Sequence, residues 1–143
     1  MIYLGFLFFI LAGMCEAVMD TLQFHYSSSW FFNLKNKLFW DPSISWKNKY
    51  KNGDPTLGSK FLFSKTLLVG LTDGWHLFKL LRTFFIFGGI FFIFLPCSTQ
   101  IMCLFCVIIS RVLFGIAFSL LYDLLSFWLG YVIEHLLLNY PCQ

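Results

Sequence analysis

Charge is what this chain has least of. Only 12% of its 143 residues are Asp, Glu, Lys or Arg, about half the fraction of a typical soluble domain, while 59% are hydrophobic and 22% aromatic. A water-soluble core is excluded, and a single membrane domain over 1–143 is the class that remains. Other absences narrow the chemistry. There is no Gly-rich phosphate loop, no Ser, His and Asp grouping of nucleophilic type, no internal repeat and no low-complexity tail. The modest excess of base matches no nucleic-acid module, so nucleic acid is not an expected partner. The opening MIYLGFLFFILAGMC lacks the basic start of a secretory signal, and LAGMC is one residue out of step with a lipoprotein cleavage box. It therefore reads as a retained first span.

The charge that is present is concentrated. From Tyr26 to Lys60 six lysines stand against two aspartates, a net +4, with apolar sequence on either side. By the positive-inside tendency this loop, 26–60, faces the cytoplasm and the N-terminus lies outside. Phe31, Leu34 and Leu38 recur at helical spacing, which predicts an amphipathic interfacial helix ended by Asp41-Pro42. Trp30, Trp40 and Trp46 supply interfacial rings, and Lys47, Lys49 and Lys51 face anionic lipid headgroups.

Around the loop, 1–22 forms the first span, with Glu16 and Asp20 near its loop-side end. Region 61–95 is too long for one span: thirty-five helical residues would measure roughly 52 Å against a hydrocarbon core of about 30 Å. It is a broken helix or a helix pair. One arrangement makes Phe61 to about Phe78 interfacial or re-entrant and starts a span at Thr83; the other turns tightly at Lys79 to Arg82. Pro96-Cys97-Ser98-Thr99 reads as a hairpin, and the apolar region 101–138 follows, with Glu134 and His135 at its exit. The expected fold is an all-α membrane bundle of three or four transmembrane helices.

Two short strings carry the candidate chemistry. In EAVMDTLQFH, Glu16 and Asp20 are four apart and share a helix face; in LTDGWH, Asp73 and His76 are three apart and do likewise. Carboxylate and imidazole at these spacings suit a divalent metal ion that activates water against a phosphate or ester. Asp20, Asp73 and His76 are then the catalytic candidates, Glu16 completes the ligand set, and Arg82 and Arg111 hold an anion. The plainer alternative gives the same residues structural work: Asp20 caps a helix end, Asp73 pairs with Lys79 or Arg82, and Arg111 pairs with Glu16, Asp20 or Asp73. Cys103 and Cys106 form C-x-x-C in an apolar helix without a thioredoxin-like context, as packing residues rather than a redox pair. Cys142, at the tail, is a candidate for exposure or lipidation.

MDTLQFHY, FWDPSISWKNKYKNGDP and LTDGWHLFK, all in the first half of the chain, resemble a group of small polytopic membrane proteins encoded by gut bacteria and their phages. The group lends no established activity. The resemblance implies that these aspartates, histidines and loop tryptophans belong together as a unit. Two main functions stay open: an accessory or interaction subunit that binds the bilayer and a protein partner or a second copy of itself, and a metal-dependent hydrolase of a lipid or other amphiphile. A small transporter or channel is the third.

Overall fold

Ile2 to Phe24 contains no proline and only two charges, so nothing interrupts its backbone ladder, and it forms α1 over that whole length. The computed structural model describes residues 1–66, 68–97 and 99–125. Glu134, His135, Cys142 and the end of the 101–138 region lie outside them. The described residues are helical with no strands; α2 is a single turn at Lys37–Trp40, α3 spans Gly74–Phe94 and α4 spans Gln100–Asp123. Helices α1, α3 and α4 are each long and apolar enough to cross a bilayer.

The break in region 61–95 falls before Gly74, earlier than either expected arrangement places it. Residues 61–66 and 68–71 make turns, and α3 then runs without interruption through Lys79 and Arg82. The cause is local. Asp73 accepts a hydrogen bond from the backbone N–H of His76 at 2.9 Å, an N-cap that starts the helix at Gly74. Neither basic residue ends it. Lys79 lies over the Trp75 ring, 4.9 Å from its centroid, and Arg82 has an acidic partner on α1.

Helix α1 is the hub. Antiparallel α3 and parallel α4 both pack along it and touch each other only slightly. Small residues set the two crossings. A β-carbon on Gly5 would stand 3.1 Å from the Gly89 carbonyl oxygen, and one on Gly89 would stand 3.2 Å from that of Gly5. On the other side, a β-carbon on Gly13 would run into the Phe114 carbonyl. Close backbone approach of this kind gives apolar helices the packing that lipid cannot outcompete. Gly89 is therefore spent inside the chain. Buried hydroxyls on these helices return to their own backbone, Thr21 donating to the Ala17 carbonyl at 2.8 Å and Ser110 to the Cys106 carbonyl at 2.7 Å.

The basic loop folds over one end of this bundle as a cap. Its first part is a string of tight turns at Tyr26–Ser28 and Trp30–Asn33, followed by α2, in place of one amphipathic helix. Asn36 at the start of α2 has backbone angles (φ −85°, ψ 75°) that no helix tolerates, which separates the two halves. Phe31 is buried against Val18, Leu22 and Leu125, with Leu34, Trp40, Trp75 and Phe78 around them. Burying one such side chain away from water stabilises by roughly 1.5–3 kcal/mol. Farther on, the Lys60 N–H donates to the Lys49 carbonyl at 3.0 Å and the Lys51 N–H to the Gly58 carbonyl at 3.1 Å, making a hairpin-like loop. Its turn needs positive φ at Asn52 (53°) and Gly53 (76°), which Asn and Gly supply at little cost.

Candidate functional site

The polar residues gather in two places. In the first, a cleft of about 420 Å³ on one flank of α1 is lined by Glu16, Asp20, Arg82, Arg111, Phe114, Gly115 and Phe118. Helix geometry brings them there. Glu16 and Asp20 follow each other by one turn on α1, Arg82 comes from the antiparallel α3, and Arg111 from the parallel α4. Arg82 donates through Nη1 to Glu16 Oε2 in an ion pair whose side chains are 28% and 24% exposed. Arg82 Nε is buried and has no acceptor. The Arg111 guanidinium carbon sits 5.2 Å from the Phe114 ring centroid, a cation–π contact, and it has no ion-pair partner among the described residues.

The second place is the start of α3, under the cap. His76 Nδ1 lies 2.8 Å from Oδ2 and 2.9 Å from Oδ1 of the buried Asp73, with the ring N–H as donor. Asp73 thus serves both the helix N-terminus and the imidazole. Beside it, Asn48 Nδ2 donates to the Thr72 carbonyl at 2.5 Å, and Lys60 Nζ donates to Asn48 Oδ1 at 2.6 Å. Ser64 Oγ donates to the Lys49 carbonyl at 2.8 Å. The first of these bonds ties the hairpin to the residue just before the α3 N-cap, and the last ties it to Ser64. Asn48, Lys60 and Thr72 carry no motif that would mark them in the sequence, since each acts through a contact distant along the chain or through its backbone.

The four residues read as a metal-ligand set are therefore divided, Glu16 and Asp20 in the cleft and Asp73 and His76 at the α3 cap. Among the described residues no three His, Cys, Asp or Glu side chains form a metal-holding group. Asp73 takes His76 rather than Lys79 or Arg82, because the i, i+3 spacing places the imidazole directly over the capping carboxylate. Nor does Asp20 cap α1, which continues to Phe24 and ends at His25. Cys15, Cys97, Cys103 and Cys106 are free thiols.

The interfacial candidates separate as well. Trp30 and Trp46 are each 44% exposed, whereas Trp40 turns inward, against Phe31 at 5.2 Å and over Gly74. Any β-carbon at position 74 would meet the Trp40 ring at 2.7 Å, so only glycine admits it. Lys47 and Lys51 are exposed and Lys49 half-buried. Lys47 lies over Trp46, Lys49 and Lys65 over Tyr50, and Lys37 over Phe32. Burial, with Asp41 second, pushes the Tyr26 phenol above its ordinary pKa. The backbone and hydroxyl of Thr56 hold the Asp54 carboxyl below its ordinary value.

None of the protein-family models, curated proteins or solved structures compared with this chain matches it. What the fold defines is a class: among the described residues the chain is all-helical, with three helices long and apolar enough to span a membrane.

Proposed function

We propose that the protein is a small multi-pass membrane protein with three transmembrane helices, acting as an accessory or interaction subunit. In this reading α1, α3 and α4 cross the bacterial inner membrane, the N-terminus is outside, and the basic, aromatic cap rests on the cytoplasmic headgroup layer and docks a protein partner. The observation that carries it is the stacking of Lys37, Lys47, Lys49, Lys65 and Lys79 on aromatic rings at one end of the bundle. Cations held on rings beside apolar helices are the arrangement that anchors a surface to anionic lipid. The long helices supply a second support. Phe84, Phe87, Phe91, Ile101, Leu104 and Leu120 are all more than half exposed, and in water such continuous apolar faces would be unfavourable.

The metal-dependent hydrolase reading needs Glu16, Asp20, Asp73 and His76 in one place, and they stand in two. The geometry favours the binding role. Neutralising Lys47, Lys49 and Lys51 together to Gln tests it by flotation on vesicles containing anionic phosphatidylglycerol. Each lysine near the surface contributes about 1 kcal/mol, so the triple variant of the full chain, held in phosphatidylcholine nanodiscs, should float with such vesicles about two orders of magnitude more weakly. Unchanged flotation would remove the headgroup anchor from the account.

A further inference from the structure

Because α3 and α4 diverge around α1, they leave a groove along one flank, and the groove has two contiguous parts. The inner part, about 270 Å³, is walled by Phe9, Ile86 and Val107 and is almost wholly apolar. The outer part is the charged cleft, and the two share Arg111 and Phe114 as their common wall. Together they fall within the ~300–1,000 Å³ of ordinary ligand pockets.

Arg111 is the unexplained residue in this groove. Its guanidinium lies over Phe114, three residues farther along α4 and so toward the cap, as a long side chain does when it reaches out of an apolar environment. Glu16 is already engaged by Arg82, and Arg82 Nε still lacks an acceptor. An arginine against lipid tails is unfavourable by at least about 2.5 kcal/mol, so this site calls for an anion. Asp20 stands at the cap-side mouth, seven residues beyond the Gly13–Phe114 crossing, and repels a free anion approaching from water. A head that arrives from the bilayer side on a hydrocarbon chain avoids that barrier.

We propose that the groove is a binding site for an amphiphile with one hydrocarbon chain and a compact anionic head, phosphate or carboxylate, the head on Arg111 and the chain between Phe9, Ile86 and Val107. This rests on the membrane reading above and gives the interaction role a small-molecule ligand. Charge-assisted hydrogen bonds from one guanidinium set the discrimination the site can achieve, about tenfold or more.

The test uses the full chain in phosphatidylcholine nanodiscs and three radiolabelled probes in equilibrium dialysis: dodecyl phosphate, n-dodecanol and inorganic phosphate. Dodecyl phosphate should bind saturably, about tenfold or more tighter than dodecanol relative to empty nanodiscs, and inorganic phosphate should not bind. Arg111→Gln and Val107→Trp should each weaken dodecyl phosphate about tenfold, one through the head and one by filling the chain hollow, while Leu120→Ala, at an exposed position outside the groove, leaves it unchanged. Equal retention of dodecyl phosphate and dodecanol by the unmodified chain overturns the proposal without relying on any variant. Binding of inorganic phosphate alone overturns the amphiphile part and leaves a plain anion site. Resistance of the chain to alkaline carbonate extraction from membranes, scored in parallel, separates failure of the groove from failure of the membrane reading.

Discussion

Glu16 and Arg82 are 66 residues apart in the chain and form the ion pair that joins α1 to α3 at the charged end of the groove. Partly withdrawn from water, each would be left with an uncompensated charge if the other were removed. Glu16→Gln and Arg82→Gln should therefore each destabilise by about 1–3 kcal/mol, and the double variant should recover most of the loss, as read by a double-mutant cycle in denaturing-detergent titrations. Simple additivity of the two losses would show that the pair contributes no coupling. Spacing within the sequence identifies which carboxylates share a face, as for Glu16 with Asp20 and Asp73 with His76. It does not identify partners across helices. Arg82 is nine residues from Asp73 and appears closer to it in sequence than to Glu16, yet the antiparallel packing of α3 on α1 decides the pairing.

At the scale of elements, the long apolar runs make an all-α chain with membrane-length helices legible, because hydropathy over twenty residues is a strong and local signal, but they leave the number of spans at three or four. The cap is not legible in the same way. Phe31, Leu34 and Leu38 have helical spacing, but Phe31, Leu34 and Trp40 are drawn inward by Val18, Leu22 and Phe78, a tertiary contact that a three-residue period cannot encode. The start of α3 was within reach of sequence, since Asp73 before Gly74 is a standard capping residue inside an apolar stretch. The α1–α4 crossing depends on backbone approach at Gly13. Gly13→Ala should destabilise by about 1–3 kcal/mol through overpacking, whereas Gly115→Ala, with nothing within 4 Å of the added carbon, should be neutral or stabilise by up to roughly 1 kcal/mol. Thermal unfolding of the two variants in the same detergent checks this. Equal effects would mean that α4 does not approach α1 at Gly13 as described.

For the whole molecule, one arrangement of charge accounts for the parts: apolar helices flanking α1, a cap of lysines on aromatic rings at one end, and the turn at Leu95 and Pro96 at the other. If lipid surrounds the helices, the cap and that turn lie on opposite sides of the bilayer. The direct measurement is labelling of single cysteines placed at Lys51 and at Gln100, in a chain otherwise freed of cysteine, with a membrane-impermeant maleimide on sealed inverted vesicles and on intact cells. The account predicts that position 51 reacts only from the cytoplasmic face and position 100 only from the external face. Reaction of both positions from the same face would contradict it.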